Sequence, residues 1–236
     1  TGQIKVGRRL AIKVLNASKF ALSFGSVDGD LAAQVSEPID LSLLAGLREV
    51  VAKATAGYEA WDFTRALEVT EQWFWSFCDD YLELVKDRAY GAQGDAAAAS
   101  ARATLRIALD VVLRLFAPIL PYVTEEVWSW THDGSVHRTT WPTVDELPAG
   151  GDPAVLGSVG AALAVVRKAK SEAKVGMRAE VPSMTLVGPD AVLAHVRSAQ
   201  GDLRAAGKLT GILEFADGDE VAARDIELVA VAKPTA

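Results

Sequence analysis

Between about Lys5 and Leu22 the apolar residues recur with helical period. Val6, Leu10, Val14, Ala17 and Ala21 fall on one side, flanked by Leu15 and Leu22, which predicts a helix with a single core face. After the Gly/Asp-rich turn FGSVDGD the spacing predicts a second helix from Asp40 to about Gly57 and a long third from Asp62 to Tyr90. In the third, Phe63, Leu67, Thr70, Phe74, Phe77, Tyr81 and Leu84 alternate steps of four and three, the seam expected of a helix packed in a bundle. GAQGD closes it, and a fourth helix is predicted from about Ala96 to Ala117, turning Leu105, Leu109, Val112 and Phe116 inward. Arg102, Arg106, Asp110 and Arg114 ride its other face, salt-bridged or solvated. Pro118 and Pro121 interrupt regular helix, and Thr124 before Glu125 and Glu126 predicts the N-cap of a short fifth helix.

The pattern changes at LPAGGDP, where four of seven residues are Pro or Gly. Beyond it come a predicted helix from Pro153 to Lys174, the alternating stretch VPSMTLV, a helix near Pro189 to Ala206, and two more strand-like runs, LTGILEF and RDIELVAVA. The fold class expected is mainly α: an antiparallel helical bundle over residues 1–148, then a small α/β C-terminal unit over 149–236.

Composition narrows the chemistry. The chain has 236 residues, half of them apolar, one cysteine and three histidines, so neither a disulfide framework nor a cysteine-rich metal site is available. No apolar run reaches the roughly 18 residues of a membrane span, and no leader pattern is present. The chain starts with Thr1 inside a helical pattern, which suggests a piece of a longer polypeptide. No Gly-rich phosphate loop, paired-His motif or nucleophile elbow appears. Asp79 and Asp80 are adjacent on a helix and diverge by about 100°, a poor acid/base pair. The run WFWSF reads as core, with Trp75 alone turned toward Glu71, Gln72 and Asp79.

Charge singles out the first helix. The chain carries a net charge of -7, yet Lys5 to Phe20 holds five cations and no acid. Lys5, Arg9, Lys13, Asn16 and Phe20 line one stripe opposite the core face, with Arg8 and Lys19 at its edge. Such a stripe reads either as a solvated face, with Phe20 covered by the next loop, or as a surface for single-stranded RNA, with a base stacked on Phe20 and Asn16 offering donor and acceptor. A second cluster, Arg167, Lys168, Lys170, Lys174 and Arg178, is a solvated face or a secondary phosphate contact.

Three blocks carry a resemblance. VGRRLAIKVLNASKFAL, WFWSFCDDYLELVKDRAYG, and LRLFAPILPYVTEEVW with GSVHRTTWP resemble, in order and spacing, the anticodon-binding domain of class Ia aminoacyl-tRNA synthetases, in the wording of the valine-specific branch. The resemblance implies that Lys13, Asn16 and Phe20 face the anticodon and that Arg8 and Arg9 meet the RNA backbone; the stripe adds Lys5 to the backbone contacts, and charge alone makes Arg167, Lys168, Lys170 and Lys174 candidates for a secondary RNA contact. The resemblance also implies valine tRNA as partner, with no DNA and no membrane, in a monomeric cytoplasmic enzyme. ATP and magnesium would belong to a catalytic domain outside this chain, which holds no catalytic residue, metal or cofactor of its own and is inactive alone. A helical adaptor for an acidic protein and a small-molecule enzyme remain as rival readings.

Overall fold

A computed structural model describes residues 2–230. Helix α1 (Gly2–Leu22) buries Leu10, Val14, Ala17 and Ala21, as the periodicity predicts. Val6, read on the same face, is instead 54% exposed, because no described element packs on the first two turns. A short helix, α2 (Leu31–Gln34), is capped by the Asp30 carboxylate and escapes prediction by its brevity. Helix α3 (Pro38–Glu59) starts with proline in its first turn, where the missing N–H has no helical partner to lose.

The predicted third helix is two, α4 (Phe63–Ser76) and α5 (Leu82–Ala89), joined without a break by one wide π turn over Phe77–Tyr81. The extra residue of a π turn lets Phe77, Cys78 and Tyr81 all face inward. Phe77 stacks on Trp73 at 5.4 Å and on Tyr81 at 5.9 Å, and Phe74 meets Phe116 edge-on at 5.4 Å. Of the predicted seam only Phe63 is exposed. Helix α6 (Asp95–Phe116) runs through the centre, and its Arg114 bonds Asp110 and Glu146.

Helix α7 (Pro121–Trp128) corrects the fifth-helix expectation. Pro121 occupies the first turn and Thr124 lies inside the helix, its hydroxyl donating to the Leu120 carbonyl at 2.9 Å. Proline at a helix start competes successfully with a threonine cap because its φ is already helical.

Helix α8 (Ala154–Glu172) leads into strand β1 (Val181–Gly188). The helix read across 189–206 is split at Ala199 into α9 (Asp190–Ser198) and α10 (Gln200–Gly207). Strands β2 (Leu209–Asp217) and β3 (Ala222–Arg224) complete a three-stranded sheet ordered β2-β1-β3, parallel on one side of β1 and antiparallel on the other. RDIELVAVA is therefore mostly not strand: β3 ends at its first residue, Val229 bridges to Glu180, and its last two residues lie outside the described ones.

The interior does not stop at the Pro/Gly-rich link: one apolar core runs from Leu10 in α1 to Leu209 in β2. Its polar centre is the Arg88 guanidinium, 1% exposed, which donates to both Asp40 oxygens at 2.7 Å and to Asp202 at 2.9 and 3.1 Å. Tyr81 and Ser100 hydroxyls also donate to Asp40. Burial alone would lower the Arg88 pKa, but its bonds to Asp40 and Asp202 raise it, so the group stays charged. The cage ties α3, α5 and α6 to α10. His195 adds a second tie, bridging Ser158 of α8 and Asp152 before it.

Candidate nucleic-acid interface

The π turn and α5 lie alongside the polar stripe of α1, and the two helices enclose a pocket of about 290 Å³. From α1 come Lys13, Asn16 and Phe20, the three residues the sequence placed together; from the other wall come Leu82, Glu83 and Lys86, with Cys78 at the back. Phe20 is half-buried. It meets Phe24 edge-on at 5.4 Å, and Phe24 in turn meets Tyr90 at 5.0 Å. The ring is thus braced by aromatic neighbours rather than covered, and still lines the opening. Asn16 is exposed, and among the described residues its amide makes no side-chain hydrogen bond, leaving donor and acceptor for a ligand.

The cations of the stripe are organised by α4 and the π turn. Lys13 pairs with Asp79 at 2.8 Å, and its ammonium also lies 5.5 Å from the Trp75 ring centre, while the Arg9 guanidinium sits at 5.0 Å over the same ring. Trp75 itself is anchored by donating to Glu71 at 3.1 Å. Asp80 points the other way, against Gly160 of α8; burial raises its pKa, with Arg167 opposing and Asp79 reinforcing the shift. The two carboxylates diverge as their spacing requires. Burial pushes the Cys78 thiol up to about 12, with Lys13 pulling down and Asp79 up, so it is a packing group, not a nucleophile.

These features converge on a slot for a flat, hydrogen-bonding ring on a polyanion: aromatic wall, free amide, carboxylate acceptor, cationic rim. Comparison with known proteins decides the family. Residues 40–185 match the model described as the anticodon-binding domain of tRNA ligase. This chain belongs to that family. The match starts after α1, but longer similarities include it. The chain is 52% identical over 221 residues to a valine-tRNA ligase of Cutibacterium acnes, covering 93% of this chain and 25% of that protein. It is 55% identical over 236 residues to that of Thermobifida fusca, covering 98% and 26%, and 49% identical over 228 residues to that of Leifsonia xyli, covering 96% and 26%. The chain therefore spans about a quarter of the length of the curated relatives it matches.

Within this anticodon-binding chain, Lys5 and Arg8 stand exposed along α1 beyond the pocket, with no ion-pair partner among the described residues. The C-terminal cluster is divided. Arg167 lies 3.6 Å from Glu83, facing the α5 side. Lys168 pairs with Glu172 at 3.9 Å on the outer face, and Lys174 sits in the turn after α8 with φ 56°. Lys170 is a correction: it is 1% exposed, and its ammonium donates to the Met177 and Gly207 carbonyls at 3.1 and 2.8 Å, so it is caged rather than presented. Burial lowers its pKa, helped by Lys208 and Arg167.

Glu83, Lys86, Leu82 and Tyr90 were not singled out from sequence. A signal existed: Asp79, Glu83 and Lys86 recur at steps of four and three on the flank that Lys13 touches. Among the described residues no cluster of three metal-ligating side chains occurs, and no helix is long and apolar enough to cross a membrane.

Proposed function

We propose that this chain is the anticodon-reading part of a valine-tRNA ligase, whose full-length form attaches valine to its tRNA in the cytoplasm as a monomer. ATP and magnesium serve the reaction elsewhere in that enzyme, and this part alone does not catalyse it. Residues 1–148 hold the reading head and 149–236 buttress it. The observation that carries the reading is the pocket between α1 and α5, which joins Phe20, Asn16 and Glu83 within one cationic rim. An unpaired base stacks on Phe20, a contact worth about 1 to 3 kcal/mol. Asn16 donates and accepts at the base edge, while the Glu83 carboxylate only accepts and so favours a base with an exocyclic amine. Lys13, Arg9, Arg8 and Lys5 neutralise phosphates along the strand, adding affinity without sequence preference.

The test is titration of the chain with valine tRNA and a non-valine tRNA at several salt concentrations. Phe20→Ala should weaken valine tRNA by about 1 to 3 kcal/mol and narrow the gap between the two RNAs. Phe20→Leu, which keeps apolar bulk but removes the ring, separates stacking from packing. Unchanged affinity in both variants would show that Phe20 only packs, and the reading would fall.

A further inference from the structure

Next to the base pocket along α5 lies a second, larger cleft of about 440 Å³, walled by α5, α8, the Met177–Arg178 segment and the end of α10. Glu83 and Lys86, three residues apart on one face of α5, line both cavities, so the two adjoin along that face. The cleft gathers five cations, Lys86, Arg167, Lys170, Arg178 and Lys208, against two carboxylates, Glu83 and Asp87. Both carboxylates already have partners: Arg167 lies 3.6 Å from Glu83 and Lys208 lies 3.1 Å from Asp87. Lys86 and Arg178 have no carboxylate within salt-bridge reach among the described residues, and both are exposed.

The cleft is built from within. Lys170 at its floor holds the carbonyl of Met177, next to Arg178, and the carbonyl of Gly207, next to Lys208. One buried ammonium thereby spaces the two cation-bearing segments and adds a charge that no carboxylate offsets. Among the described residues no aromatic side chain lines the cavity, so they offer nothing for a base to stack on. Charge without rings suits backbone phosphates rather than bases.

We propose that this cleft holds the phosphodiester backbone of the same RNA strand whose base enters the α1/α5 pocket, with Lys86 and Arg178 as its phosphate ligands. The proposal rests on the RNA reading above and adds to it a path along one face of α5, from Phe20 through Lys86 to Arg178. Shared lining favours a strand over a free anion: an isolated phosphate site would need no residues in common with a base pocket.

Binding of a valine anticodon stem-loop RNA to the 236-residue chain, across a salt series, tests it. Lys86→Ala and Arg178→Ala should each weaken this RNA and a non-valine stem-loop by the same factor, flattening log affinity against log salt by about 0.7 for the one counterion no longer released. Arg178→Lys should keep most of the slope. An RNA carrying a neutral methylphosphonate beside the stacked base should lose slope with the wild type and none further with Arg178→Ala, a readout independent of variant folding. Slopes unchanged in both alanine variants, while Phe20→Ala still weakens binding, would overturn this proposal and leave the base-reading intact. A wild type that binds neither RNA would remove both. Inorganic phosphate held by the wild type and lost from Arg178→Ala in phosphorus NMR, with RNA affinity unchanged, would make the cleft a free-phosphate site and refute the strand path.

Discussion

Replacing Arg88 with methionine probes the cage that joins the bundle to α10. The guanidinium makes five hydrogen bonds, four to Asp40 and Asp202 and one to the Ala97 carbonyl. Methionine fills similar volume but leaves Asp40, 0% exposed, and Asp202, 4% exposed, without a cation. Removing one partner of a buried pair costs about 3 to 5 kcal/mol. Here one cation serves two carboxylates, so the upper end, about 5 kcal/mol, is expected against a total stability of about 5 to 15 kcal/mol. The pH dependence makes the argument specific. Asp202 is already raised by burial, and Arg88 is what pulls it back; without Arg88 its carboxyl should titrate further above the ordinary carboxylate range. A raised folded pKa means that the fold favours the protonated form. The variant should therefore be most stable at or below the ordinary carboxylate range and lose stability as pH rises toward the raised Asp202 value, by up to about 1.4 kcal/mol per pH unit. Urea unfolding of wild type, Arg88→Met, and Arg88→Met with Asp40→Asn and Asp202→Asn, at about pH 7 and about pH 5.5, reads the effect directly. Acidification should rescue the single variant, and the neutral triple variant should recover much of the loss at both pH values. A loss under about 1 kcal/mol, or one insensitive to pH, would mean that the cage is solvated or dispensable.

Phe77→Ala should destabilise by about 3 to 5 kcal/mol in a thermal or urea melt, since the ring is fully buried between Trp73 and Tyr81; under about 1 kcal/mol would show a seam able to collapse around the gap. Cys78, buried and with its pKa pushed up to about 12, should resist an aromatic disulfide reagent at neutral pH until the chain unfolds, and rapid native labelling would contradict its placement. Trp61 follows α3 with φ 59° and is 81% exposed; Trp61→Gly should raise stability by about 0.5 to 1 kcal/mol by relieving a left-handed conformation, and a clear loss would reveal a packing role for the indole.

Periodicity made the long helices legible because each hides one stripe, and a stripe needs no knowledge of its partner. It located the ends of α1, α3 and α6 to within three residues. It missed features that depend on something distant or on one residue's worth of geometry. The π turn leaves the steps of four and three intact on either side, so Phe74, Phe77 and Tyr81 look alike with or without it. The split at Ala199 and the pairing of β3 are set by packing that the chain reveals only when folded. Lys170 had the local look of a surface cation, and the carbonyls that cage it come from 7 and 37 residues away. The stripe of Lys13, Asn16 and Phe20 was visible from charge and helical spacing together, whereas its opposite wall was not: Glu83 and Lys86 become pocket residues only because α5 is laid beside α1.

That placement depends on a single residue of chain length. In a helix, length is angle: the wide turn at Phe77–Tyr81 can lose its extra residue by closing to an ordinary turn, but deleting one residue from the regular turns of α4 would rotate everything after it by about 100°. Glu83 and Lys86 would swing away from α1, and Arg88 would leave its carboxylates, though no side chain of either site had been altered. The π turn therefore acts as a slack coupling between the two ends of one long rod, able to take up the loss of one residue, whereas the regular turns on either side of it cannot. Gains and losses of length belong instead in the exposed link around Gly150, where an added residue alters a path but not an orientation.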